Sequence, residues 1–338
     1  MTELTIERQK VSPLRRIVHS HYFSFFVTTA LFLILYLYGL FSYSGFSKPQ
    51  VFYNFFIDYA AVIALTVGQT FVLITGERDL TGGAVVAFEC MFIAKLLQDT
   101  NLHVSVVLTL AMVIGVAFGI FIGFIVSRFK LQSFIVTLAA QYVARGATAM
   151  LSVDTINIDN PFYVKLASAR IPLFNGFISV GAVLALLMVA IGTVVLKYTR
   201  FGRNLYAVGG NRASAELMGL RTSRTVISSY AVSGFCNAFG GILYSLIMLS
   251  GYTLHAIGME MEALSSSVIG GTLLSGGVAF MPGTLVGVLI QGVIQTIITF
   301  QGTLSAWWTK IVIAALLLLS IVMQALISKN REKWLNRK

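Results

Sequence analysis

The sequence predicts an all-α, polytopic membrane protein with about ten transmembrane helices. Three observations carry that prediction. Hydrophobic residues fill 57% of the 338 positions and charged residues 11%, far from the balance of a soluble domain. The apolar residues gather in runs near the roughly 20 residues that a helix needs to cross a bilayer. The Lys and Arg residues concentrate in alternate connections between those runs, the pattern that sets membrane orientation. Residues 1–338 are therefore expected to form a single transmembrane domain, with no length left for a large soluble one.

Taken in order, residues 1–22 are polar and precede a long apolar run with no small-residue cleavage site. A cytoplasmic tail is expected there rather than a cleaved signal. The first half, 24–197, holds runs at 24–43, 57–75, 82–97, 104–126, 132–152 and 174–197. The third is short and carries Glu89 and Lys95. A polar connection, 198–224, leads to the second half, 225–327, with runs at 225–250, 262–281, 283–300 and 303–327. Gly270-Gly271 and Gly276-Gly277 break the eighth run, and Pro282 separates it from the ninth. Residues 328–338 form a basic tail.

Segments 1–22, 76–81, 127–131, 197–224 and 328–338 hold 18 of the 24 Lys and Arg residues. Lys48, Lys95, Lys165 and Arg170 fall on the other side, while Arg145 and Lys310 lie within runs. That split predicts cytoplasmic N- and C-termini and an even helix count. It also accounts for most of the net charge of +11, so no nucleic-acid partner is expected. Cys90 and Cys236 both sit in apolar runs and suggest neither a disulfide nor a metal framework. The 152–173 loop, with 44–56 and 251–261, either meets an extracytoplasmic partner or is a plain solvated connection.

Two internal matches compete. Gly115, Gly119 and Gly123 precede the hinge Arg128-Phe129-Lys130, as Gly283, Gly287 and Gly292 precede Gln301-Gly302. The odd offset between these helix pairs implies an inverted repeat of two halves. Leu80-Thr81-Gly82-Gly83 also matches Leu274-Ser275-Gly276-Gly277, at an even offset that contradicts it.

No GxxxxGK[ST] phosphate loop, HExxH or C-x-x-C occurs, so no catalytic, cofactor or metal site is expected on this chain. The polar residues inside apolar runs say more, because lipid penalises them. They are Gln69, Glu89, Gln141, Arg145, Asn237, Gln291, Gln295 and Lys310. Gln141/Arg145 and Gln291/Gln295 are each four apart and share a helix face. Such residues either bond neighbouring helices or line a polar route for a hydroxyl-rich solute. Uncharged amides suit a sugar, since they donate and accept without demanding a counter-charge.

Within the polar connection, Asn211 can cap a short helix over Arg212–Met218 that Gly219 then stops. Gly209 and Gly210 allow a sharp turn before the cap. The word Gly202-Arg203, Tyr206-Ala207-Val208-Gly209-Gly210-Asn211, Ala213, Ala215, Leu217-Met218-Gly219 resembles the coupling loop of sugar-importing ABC transporter permeases. A second word, Thr75 to Gly83, resembles the Gly-x-x-Asp-Leu-Ser-x-Gly signature of that family through Gly76, Asp79, Leu80 and Gly83. Asp79 is expected to cap the helix that follows. Glu77-Arg78 depart from the family pattern, which opens two readings of this loop: a lining of the pathway, or a plain Arg78–Asp79 or Arg78–Glu77 interaction at the membrane edge. A third stretch, VIGGTLLSGGV, GTLVGVLIQGVIQT and GTLSAWWTKI within 268–311, resembles the galactofuranose-type permeases. Trp307-Trp308 is its most distinctive part, though tryptophan also anchors helices at the interface.

The resemblance implies the permease subunit of a bacterial sugar importer in the cell inner membrane, surrounded by membrane lipid. Its partners would be an ABC ATPase subunit that carries ATP and Mg, a second permease chain and an extracytoplasmic sugar-binding protein. The substrate would be a monosaccharide. It also implies that the coupling helix docks on the ATPase, through the element of Gly202, Gly209, Gly210, Asn211, Ala215, Met218 and Gly219. Pathway candidates are Gln69, Gly76, Asp79, Gln141, Asn237, Gln291, Gln295, Trp307 and Trp308. An ion-coupled secondary transporter, supported by Glu89, Arg145 and Lys310, is the rival reading. An enzyme of lipid-linked sugars finds no clustered catalytic residues.

Overall fold

A computed structural model describes residues 23–303, 305 and 307–335. The tail 1–22 and the last three residues of 328–338 lie outside the described residues. The chain forms an all-α polytopic bundle with four very short strands.

Helix α1 spans Phe23–Ser42, α2 Pro49–Asp58, α3 Ala60–Ile74, α4 Gly82–Asp99, α5 Val104–Phe129 and α6 Ser133–Leu151. After β1 (Ile156–Asn157) come α7 (Pro161–Ala167), β2 (Arg170–Leu173), β3 (Gly176–Ser179) and α8 (Val180–Tyr198). Then follow α9 (Arg200–Gly210), α10 (Arg212–Leu217), α11 (Thr222–Met248), β4 (Ser250–Gly251), α12 (Met259–Ile269), α13 (Met281–Gln301) and α14 (Trp307–Leu335). Among the described residues, α1, α5, α6, α8, α11 and α13 are long and apolar enough to cross a membrane. The pair α2–α3, bent by 52°, is a seventh such stretch when counted as one broken span.

The expected runs 82–97, 262–281 and 303–327 are not among these spans, and 174–197 gives a shorter one than expected. The run 174–197 becomes helical only at Val180, because Gly176–Ser179 pairs antiparallel with Arg170–Leu173. The run 262–281 yields an 11-residue helix that ends at Ile269. Gly271, Gly276 and Gly277 then take positive φ and carry a half-buried, non-helical segment to α13. Backbone can leave the helix at membrane depth only where protein surrounds it.

Helix α11 is the central element, packed on α3, α4 and α5. Its contact with α5 is backbone-close. A Cβ on Gly119 would meet the Tyr230 carbonyl, and one on Gly234 would meet the Gly115 carbonyl. Small residues four apart let two helices approach where lipid supplies no hydrophobic drive between them.

Candidate functional site

Two interruptions of the helical ladder meet inside the bundle. The first is 75–81. Gly76 takes φ +82°, and the chain then runs back along α3 so that α4 starts beside the middle of α11. A Cβ on Gly82 would lie 3.1 Å from Leu65 Cδ2 and 3.2 Å from Asn237 Oδ1. Four donors hold the buried Asp79 carboxylate. Thr81 N (2.9 Å) and Thr81 Oγ1 (2.6 Å) reach Oδ1, while Ser233 Oγ (2.6 Å) and Asn237 Nδ2 (3.2 Å) reach Oδ2. Asp79 therefore does not cap α4 directly; it ties the preceding turn to α11. Tyr230 adds a bond from its hydroxyl to the Arg78 carbonyl at 2.7 Å.

The second interruption, 252–258, leaves the opposite end of α11 and descends into the bundle. Ala256 (φ 56°) and Gly258 (φ 86°) turn it into α12. The predicted Gln141/Arg145 face of α6 grips this segment. Arg145 Nη1 donates to the carbonyls of Thr253 (3.0 Å) and His255 (2.6 Å), and Gln141 Nε2 donates to Glu260 Oε1 (3.0 Å). A Cβ on Gly83 would meet Glu260 Oε2 and the Ala256 carbonyl. The N-termini of α4 and α12 thus abut. Helix α4 runs parallel to α11, passing from Asn237 at Gly82 to Gly241 at Glu89. Helix α12 runs with α3 towards Ile74, through Ser267 near Thr66 and Thr70. The two half-helices point in opposite directions from one meeting point, with Asp79 and Glu260 beside their electropositive ends. Sequence reasoning missed Glu260 and Glu262. The available signal was an acidic pair after Gly258, at the head of an apolar run too short to span.

The amides of α3 and α13 flank α12. Gln291 is fully buried; its Nε2 donates to the Glu262 carbonyl at 2.9 Å and its Oε1 finds no partner. Gln69 Nε2 and Ser266 Oγ are likewise buried and unpartnered. Gln295 is half-buried one turn beyond Gln291. Trp307 and Trp308 are exposed at the start of α14, where Lys310 Nζ lies 5.0 Å from the Trp307 ring centre. Glu89 is fully buried, neither carboxylate oxygen has a partner, and its Cβ is close to Gly241.

The polar connection forms two helices rather than one. Thr199 caps α9 by accepting from Gly202 N at 3.1 Å. Gly209 and Gly210 are the last residues of α9 rather than a turn, and the reversal falls on the extended Asn211. Asn211 Oδ1 accepts from Ser214 N at 2.9 Å and caps α10, while Gly219 (φ 80°) ends the turn that follows it. Gly202 lies close under the end of α8, where a Cβ would meet the Leu196 carbonyl. Gly209 must lack a side chain for a similar reason: a Cβ there would meet the Ile74 carbonyl.

That contact joins the connection to the first interruption and to the non-helical segment that follows α12. Gly277 N donates to the Ile74 carbonyl at 2.9 Å, and a Cβ on Gly276 would lie 2.7 Å from Gly76 N. The two matched words, 80–83 and 274–277, therefore belong to segments that touch at this junction. Of the two readings of Glu77-Arg78, the structure gives Glu77 neither Arg78 nor Asp79 as partner but Arg212 of α10 at 3.2 Å, because the fold brings α10 over the first interruption. Ala215 is buried beneath α10, while Leu217 and Met218 are 90% and 70% exposed.

Residues 51–321 match the family described as branched-chain amino acid transport system / permease component. The inner membrane ABC transporter permease protein YjfF of Escherichia coli (strain K12) is 43% identical over 88% of this chain and 90% of its own. The fructose import permease protein FruG of Bifidobacterium longum (strain NCC 2705) is 32% identical over 87% and 88%. The ribose import permease protein RbsC of Haemophilus influenzae is 31% identical over 78% and 80%. No solved structure matches the chain.

Proposed function

The chain belongs to the branched-chain amino acid transport system / permease component family, and on that premise we propose that it is the membrane-spanning subunit of an ATP-driven sugar importer. One observation carries the mechanism. The α9–α10 element presents the apolar pair Leu217 and Met218 outward and rests inward where the segment before α4 meets the segment after α12. Such an element can receive movement from a separate ATPase and deliver it to the half-helices. Those half-helices meet at the centre of the bundle, where transporters of this construction place their substrate.

The substrate is a monosaccharide, a reading supported by the ribose, fructose and arabinose named in its relatives. Galactofuranose or a related sugar is the finer assignment, supported by the words within 268–311. The ATPase subunit carries ATP and Mg, a second permease chain completes the pore, and an extracytoplasmic binding protein delivers the sugar. The complex lies in the inner membrane with both termini cytoplasmic.

The test is uptake of labelled sugars into vesicles holding this chain, its ATPase and its binding protein. Uptake that requires enclosed ATP and survives an ionophore is expected. Uptake that persists without ATP and collapses with the ionophore would overturn the reading in favour of ion coupling.

A further inference from the structure

A cavity of about 480 Å³ opens at the end of the bundle that carries the polar connection. Phe25 of α1, Leu196 and Lys197 of α8, Arg203 and Tyr206 of α9, and Phe280 before α13 all line it. Its chemistry is divided. Phe25 and Phe280 meet edge to face at 5.0 Å between ring centres and, with Leu196, form an apolar floor. Lys197 and Arg203 form a cationic rim. Arg203 Nη1 donates to the Tyr198 carbonyl at 3.4 Å, and Lys197 Nζ lies 5.2 Å from the Tyr198 ring centre. Among the described residues neither cation pairs with a carboxylate, and no Asp or Glu lines the cavity.

Two like charges over one cavity make its mouth electropositive and favour an anion there. The apolar floor narrows the class of anion further, because a free phosphate would leave it uncovered. Lys197 lies in the last turn of the span α8 and Arg203 in the first turn of α9, so the cavity sits where that span ends, at the depth where basic side chains gather. We propose that this cavity binds an anionic phospholipid, its phosphate between Lys197 and Arg203 and its upper acyl chain over Phe25, Phe280 and Leu196. Basic pockets between membrane helices hold lipid headgroups by this combination of charge and apolar cover. Residues 1–22 suit the cavity less well. They carry Arg8, Lys10, Arg15 and Arg16 against Glu3 and Glu7, so they add charge of the same sign. The proposal rests on the membrane-spanning bundle and does not depend on what the chain transports.

Native mass spectrometry of the delipidated full chain, titrated with phosphatidylglycerol or phosphatidylcholine, tests it. Preferential retention of phosphatidylglycerol is expected, weakened roughly fivefold for each of Lys197→Gln and Arg203→Gln. Arg200→Gln, on the same helix but outside the cavity, should bind as the wild type does. Equal retention of both lipids, or an equal loss in Arg200→Gln, would reduce the effect to general surface charge and overturn the site. Binding of glycerol 3-phosphate that matches the lipid would assign the cavity to a soluble phosphate instead. Tighter lipid binding after removal of residues 1–22 would assign it to the chain's own N-terminal segment. Melting temperatures of all variants should stay near the wild type, since both side chains are exposed.

Discussion

Asp79 shows what a single buried charge does in this fold. Its two oxygens accept from Thr81, Ser233 and Asn237, so the carboxylate is satisfied by neutral donors alone. Asp79→Asn would turn one acceptor into a donor facing donors, and a lost hydrogen bond to a charged group costs about 1.5–3 kcal/mol. A lower melting temperature of the purified chain is expected, with Asp79→Ala worse; unchanged melting would show that the network is not a structural tie. Gln291 and Gln295 make a different case. Gln291 Oε1 is buried without a partner while Nε2 holds α12, and the proposed route would give that oxygen a sugar hydroxyl to accept from. Each lost bond to a buried neutral group costs about 1–3 kcal/mol, so Gln291→Leu with Gln295→Leu should slow maximal uptake by roughly tenfold or more. Apparent affinity, set by the binding protein, should hold. Normal transport at normal abundance would remove α13 from the route, and loss of abundance would mark these amides as helix ties.

At the scale of elements, α10 covers the first interruption and, on the proposed function, faces the ATPase. Ala215→Pro removes a backbone donor and clashes with the preceding turn. It should abolish coupled uptake while the chain remains in the membrane; normal uptake at normal levels would end the docking role. The Glu77–Arg212 pair permits a gentler test. Its side chains are 15% and 39% exposed, so its share of stability is only about 0.2–1 kcal/mol. Its position between α10 and the first interruption matters more than that energy. Glu77→Arg or Arg212→Glu alone should lower sugar moved per ATP hydrolysed, and the double exchange should restore it. Single variants that stay fully coupled, or a double variant no better than either, would confine the pair to local packing.

For the whole molecule, the charge split predicts that the 152–173 loop and the polar connection face opposite sides of the membrane. Ser168 and Ser214 are both exposed, and the native Cys90 and Cys236 are buried, so introduced thiols can be read without background. Ser168→Cys should react with an impermeant reagent in sealed cells, and Ser214→Cys only after the membrane is opened. Equal labelling of both would overturn the orientation.

The sequence by itself determined the class of the molecule. Composition, run length and basic connections each report the cost of moving polar groups into lipid, and that cost is local to a segment. Asn211 and Gly219 were legible for the same reason, because caps act over a few residues. Only the tertiary structure decided where the apolar runs stop being spans. Gly83 against Glu260, Arg145 on the carbonyls of Thr253 and His255, and Glu77 on Arg212 join residues far apart in the chain. Residues 75–81 and 252–258 can leave the helix because α11 and α6 satisfy part of their backbone and side-chain bonding. No stretch of sequence contains that compensation, since it exists only once the helices have packed.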